Sequence, residues 1–153
     1  MPPSSSPIPK WILFGLLGFA LFGFADAAYL TAEHYIGAIP PCSIVKGCEQ
    51  VLTSSYATIA GFPTALFGTL FYLAAFLLVI MYKETGNIKF FNILFAFSFA
   101  AFLASLGFVY IQLFVLKAIC LYCMGSAVTS TLIFLFASVA IWKSRAKNLS
   151  IIA

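Results

Sequence analysis

The sequence predicts an all-α integral membrane protein: a four-helix transmembrane bundle with a long extracytoplasmic loop between helices 1 and 2. Three observations predict it. Of the 153 residues, 63% are hydrophobic and 8% charged, whereas soluble domains run at about 45–50% apolar and about 25% charged. The apolar residues fall into four blocks, each near the roughly 20 residues that cross a bilayer. The long polar interruption, from Glu33 to Phe62, separates the first block from the second and carries two of the four cysteines.

The opening "MPPSSSPIPK", residues 1–10, reads as a disordered tail rich in Pro and Ser. The spans follow at about 11–32, 63–82, 90–116 and 119–142, within one membrane domain of residues 11–142. A cleaved signal peptide is set aside because the first apolar run exceeds the usual 7–15-residue core and "FADAAYLTAEHY" lacks a clean cleavage site. In lipid each span satisfies its backbone hydrogen bonds only as a helix. The third is long enough to need tilt. The small residues of "FAFSFAAFLASLG" are expected to let helices approach closely. Trp11 and Trp142 are placed as anchors at the inner interface. Residues 143–153 form a basic tail.

Basic residues collect on the cytoplasmic side. Lys10, Lys83, Lys89, Lys143, Arg145 and Lys147 share one side, and Lys46 and Lys117 the other. That bias puts both termini in the cytoplasm and every cysteine outside, and it accounts for most of the net charge of +4. There is no glycine-rich phosphate loop and no basic nucleic-acid patch, so no nucleic acid is expected as a partner.

An extracytoplasmic compartment is where disulfides persist. Cys120 and Cys123, in "KAICLYCMG", stand three apart at the start of the fourth span, which puts both on one helical face. The helix N-terminus, with Lys117 one turn earlier, favours thiolate. Cys42 and Cys48 lie in "IPPCSIVKGCEQ", a turning segment that could close a small disulfide loop. Two such pairs could relay electrons by thiol–disulfide exchange. Two alternatives stand beside the relay: structural disulfides, and a cysteine metal site in a non-enzymatic membrane protein, although no histidine accompanies the cysteines.

The order of motifs resembles the vitamin K epoxide reductase family: "YLTAEHY" closing the first span, a C-x5-C pair, "VLTSS", "GFPTALFG", then "CLYC" opening the last span. The resemblance runs from about Ala25 to Gly125 and looks like the bacterial or archaeal branch. It implies a quinone-dependent oxidoreductase of the prokaryotic cytoplasmic membrane that supports disulfide formation, with quinone as cofactor and no metal. By it, Cys42 exchanges with a partner protein, Cys48 passes electrons inward through a disulfide with Cys120, and Cys123 faces the quinone. Ser54, with Ser55 adjacent, matches a family serine near that site. Thr64 stands where the vertebrate enzymes carry asparagine, and Ala127 where they carry tyrosine, so a simple quinone is expected in place of an epoxide. The fused thioredoxin domain and fifth span of many bacterial homologues are missing before Ala153, so the electron donor is expected to be a separate thioredoxin-fold protein.

Asp26 lies inside the first span. A hydrated or paired carboxylate near the headgroups is the expectation, with proton handling the sharper alternative. Glu33 and His34 are expected to face water. Most of the eighteen phenylalanines pack or face lipid, while Phe62, Phe67 or Phe114 could line a quinone pocket together with Ser54, Thr64 and Cys123.

Overall fold

The computed structural model describes the backbone of residues 8–41 and 47–152, with side chains through residue 146. Cys42 therefore lies outside the described residues, as does most of the N-terminal tail.

Four helices are long and apolar enough to cross a membrane. The first, α1 (Lys10–Ile36), runs one turn beyond its expected end because "TAEHYI" continues as helix. Gly37 stops it in a left-handed conformation (φ 74°). The Gly37 and Ala38 N–H groups then donate to the His34 and Glu33 carbonyls, a closure that glycine makes cheap. A short helix, α2 (Cys48–Leu52), follows, then a 3-10 turn (Ser55–Ala57) and a two-stranded hairpin of β1 (Thr58–Ile59) and β2 (Phe62–Pro63). Thr58 pairs with Pro63 and Ile59 with Phe62. The two residues between the strands, Ala60 (φ 53°) and Gly61 (φ 86°), are both left-handed, the conformation a two-residue hairpin turn requires.

Helix α3 (Thr64–Thr85) starts directly from this hairpin, as "GFPTALFG" suggests, and ends at left-handed Gly86. Helix α4 (Lys89–Tyr110) occupies most of the expected third span, but its last six residues, Ile111–Leu116, wind as a π-helix. Such wide turns concentrate at functional sites. Lys117 (φ 50°) then breaks the chain, and α5 (Leu121–Ile152) begins at the second cysteine pair and continues well past Trp142.

The four long helices form a ring in which α1 and α4 each pack against both α3 and α5. Its two halves differ in content. Toward the termini the centre is solid: Ile12, Leu16, Tyr72, Val79, Phe91, Leu94 and Ile133 are buried in one cluster. Phe134 of α5 meets Phe95, Phe99 and Phe102 of α4, the last stacked at 5.2 Å. The half toward the α1–α3 connection encloses a cavity. Ala100, Ala101, Ala104 and Ser105 of α4 line it. Small residues of the same stretch also meet α5, where the Ser105 and Ser130 hydroxyls lie 2.8 Å apart.

Candidate functional site

The site lies where the α1–α3 connection meets the link between α4 and α5. Cys48 and Cys120, at 1% and 0% exposure, share one buried cluster with Val51 and Ala118, and Cys123, Leu52, Leu116 and Tyr122 pack against it. The close approach depends on Gly47. A Cβ there would lie 2.6 Å from the Ile119 carbonyl oxygen and 2.7 Å from its nitrogen, so a side chain would push α2 off the residue preceding Cys120. A second tie runs from Gln50, whose Nε2 donates to the Leu116 carbonyl at 3.0 Å. Thus two cysteines 72 positions apart in sequence (120 − 48) reach one small apolar cluster.

Cys48 is disulfide-bonded, while Cys120 and Cys123 are free thiols. Cys120 immediately precedes the first residue of α5, the position whose side chain satisfies the helix's orphan N–H groups. Its sulfur accepts hydrogen bonds from the Cys123 thiol and from the backbone N–H groups of Cys123 and Tyr122. These hold the Cys120 thiol below its ordinary value, to about 7, against the opposing effect of burial. The helix N-terminus thus acts on Cys120 in the direction that favours thiolate. Lys117 is exposed on its left-handed turn and is not among the groups acting on this thiol.

Gln112, in the π-helical segment and 3% exposed, fixes the same link. Its Oε1 accepts the Cys120 N–H at 2.9 Å and its main-chain carbonyl accepts the Ala118 N–H at 3.0 Å. Sequence reasoning missed this residue. The available signal was an amide near the outer end of an apolar span, a costly placement without a partner.

Cys123, packed against that cluster, also lines a cavity of about 400 Å³, within the usual range of ligand sites, about 300–1,000 Å³. Ser54, Thr64 and Phe67, three of the residues expected there, line it too. Ser55 is exposed and outside the wall, so of the two adjacent serines Ser54 is the one at the site. Phe62 and Phe114 are 53% and 65% exposed and lie outside the wall, because their positions turn them to the bundle's surface. The Ser54 hydroxyl donates to the Val51 carbonyl at 2.7 Å, closing α2, and the Thr64 hydroxyl donates to the Ala57 carbonyl at 3.1 Å, tying α3 to the hairpin. Both keep acceptor capacity toward the cavity. Ala127 also lines it, so both departures from the vertebrate pattern, Thr64 and Ala127, sit on the wall itself.

Tyr72, missed from the sequence as one tyrosine in an apolar helix, crosses the floor of the cavity. Its hydroxyl donates to the Ser126 carbonyl at 2.7 Å and lies 2.9 Å from the Ser126 hydroxyl. Its ring lies against Gly23, where a Cβ would come within 2.3 Å. One turn along α1 from Gly23 is Asp26, on the cavity wall. Its Oδ2 is fully buried with no hydrogen-bond partner among the described residues. That oxygen is buried and unpaired, while the residue as a whole is half-buried. Because α1 runs to Ile36, Asp26 stands roughly 15 Å below the helix end at 1.5 Å per residue. Glu33 is half-buried and His34 exposed.

The arrangement is a buried thiol–disulfide junction opening on one side to a mostly apolar chamber. Alanine and phenylalanine form much of its faces, with Tyr56, Ser126 and Gln112 among its polar residues. Among the described residues, no three His, Cys, Asp or Glu side chains gather as a metal would require. No curated protein matches the chain closely enough to count as a relative. The sequence model of the vitamin K epoxide reductase family, however, matches residues 14–138, a stretch that takes in all four cysteines and the whole chamber, and the chain therefore belongs to that family.

Proposed function

We propose that this membrane oxidoreductase passes electrons from a separate extracytoplasmic thioredoxin-fold protein, through two cysteine pairs, to a quinone, and so supports disulfide formation outside a prokaryotic cytoplasmic membrane. Both termini then face the cytoplasm. Family membership supports the redox class. The observation that carries the rest is the division of labour at residues 120–123: Cys120 shares a buried cluster with Cys48, while Cys123 borders the chamber.

In this reading the donor protein reduces the Cys42–Cys48 disulfide, with Cys42 as the exchanging thiol. Cys48 then attacks the oxidised Cys120–Cys123 pair at Cys120, since exchange proceeds through a mixed disulfide. Cys42 resolves the Cys48–Cys120 bond, leaving the loop oxidised and the inner pair reduced. Cys48 in a disulfide beside free Cys120 and Cys123 corresponds to that charged state. A bound quinone would supply the two-electron acceptor. The protein holds Cys123 toward it, keeps Cys120 near thiolate, and excludes water with the alanine and phenylalanine walls. Thr64 and Ala127 at the wall favour a simple quinone over an epoxide.

The test is quinone absorbance over time, with purified protein in detergent and a reduced thioredoxin-fold donor, beside Cys123→Ala. Quinone loss requiring both donor and Cys123 is the expected result. A folded sample that reduces no quinone sinks the proposal and leaves structural or metal-binding thiols.

A further inference from the structure

The chamber holds one group that thiol–disulfide exchange does not use. Asp26 is an ionisable residue inside a membrane-spanning helix, where charge is costly and retained chiefly for function. Its Oδ2 is sealed from solvent and has no hydrogen-bond partner among the described residues. It lines the chamber that Cys123 also borders. A carboxylate oxygen kept without a donor costs free energy, and a role that requires it to gain and lose a proton accounts for leaving it so.

We propose that Asp26 is the proton carrier of the chamber, taking the Cys123 thiol proton and delivering it to a carbonyl oxygen of the quinone. The inference rests on the quinone-reducing function proposed above. The balance is complete: Cys120 enters as thiolate and Cys123 as thiol, and the S–S bond that forms between them releases two electrons to the quinone. One proton reaches the quinone from Cys123 by way of Asp26. The second comes from water, replacing the one Cys120 had already lost. The products are one disulfide and one quinol, with Asp26 returned to carboxylate.

Other titratable groups face the same space from the elements around it. Tyr72 of α3, Cys123 of α5 and Tyr56 of the connection line the wall with it. The wall residues from α4 include no titratable side chain. Tyr72 is committed to Ser126, which leaves Asp26, among the described residues, as the one carboxylate on the wall that Cys123 borders.

The experiment uses the full chain in detergent, with its inner pair pre-reduced, mixed with decyl-ubiquinone in a single turnover. Asp26→Asn is expected to slow quinol formation roughly 100-fold, the scale of one general acid–base contribution, with KM unchanged. Asp26→Glu should recover part of the rate. A second readout needs no quinone: the infrared difference spectrum between dithiol and diamide-oxidised protein. Without quinone the proton taken from Cys123 has no carbonyl to reach and stays on Asp26, so the wild-type oxidised state should show a carboxyl C=O band that Asp26→Asn lacks and Asp26→Glu shifts. Because the buried oxygen has no partner to lose, Asp26→Asn is expected to melt no lower than wild type, and Asp26→Glu covers the case in which it does not fold. Quinol formation by Asp26→Asn at the wild-type rate, or a band shared by wild type and Asp26→Asn, overturns the proposal. A wild type that forms no quinol refutes the function itself, and the infrared band then decides by itself whether Asp26 exchanges a proton when the thiols are oxidised.

Discussion

Replacing Gly47 with alanine tests the junction between the two cysteine pairs at its tightest point. The Gly47 backbone (φ −127°) suits any residue, so the substitution alters space alone. The new Cβ would sit 2.6 Å from the Ile119 oxygen, and ordinary contact begins at 3.4 Å, so α2 or the Ile119 peptide must move by about 0.8 Å. Neither is a flexible side chain that can turn aside. Cys48 and Cys120 adjoin the clashing residues directly, so most of that displacement falls on the sulfur pair. A misplacement near 1 Å costs a reaction roughly 10- to 100-fold. The assay uses a Cys42→Ala/Cys123→Ala background, in which Cys48 and Cys120 are the remaining cysteines. Mild oxidation closes the cross-link, read as lost labelling by a maleimide–polyethylene glycol. Gly47→Ala should slow closure by that factor and leave the melting temperature close to the parent's. Closure at the parental rate would show that the approach at Gly47 does not set the distance between the pairs.

Other predictions concern the groups around this junction. The rate of Cys120 alkylation should rise with pH through about 7, since its thiol lies below the ordinary 9.0. The stability that this thiolate contributes is present above pH 9 and is lost as pH falls toward 7. Cys123→Ala removes the largest cause, the Cys123 hydrogen bond, and should move the alkylation profile up, whereas Cys123→Ser retains a donor and should move it less. Gln112→Leu strands the buried Cys120 N–H and should cost about 1–3 kcal/mol in denaturant unfolding; an unchanged midpoint would show that this tie is dispensable. Tyr72→Phe loses its bond to Ser126 and should cost about 0.6 kcal/mol, the usual scale for such bonds between membrane helices, measured in mixed micelles. Ala127→Tyr places a phenol on the chamber wall and should raise KM for a bulky quinone in steady-state assays more than it lowers kcat.

Much of this protein was decided by composition and order. Blocks of apolar residues near bilayer length allow only helices in lipid, so four spans follow from the sequence, and Gly37, Pro63 and Gly86 mark helix ends, although α5 runs on to Ile152 through the expected basic tail. The cysteine spacing and the motifs around it likewise identify the family, because chemistry of this kind needs particular residue types at particular separations. Other features depend on which faces meet once the helices pack, and no local pattern encodes that. Small residues in "FAFSFAAFLASLG" are legible as helix-contact residues, and only the ring of four helices shows that Ala100, Ala101 and Ala104 also border the chamber. Nothing near Gly47 in sequence announces that Ile119 lies against it. Gln112 becomes legible only when a π-helical turn brings its amide to the Cys120 N–H. Asp26, read locally, was a carboxylate near headgroups. The tertiary structure puts it on the wall of the chamber that Cys123 borders, because α1 runs to Ile36 and leaves it further from the helix end than its sequence neighbours suggest. Local sequence fixes which segments are helical and which atoms can react. The meeting of distant faces decides which of those atoms share a low-dielectric space, and so which residues border the chamber together.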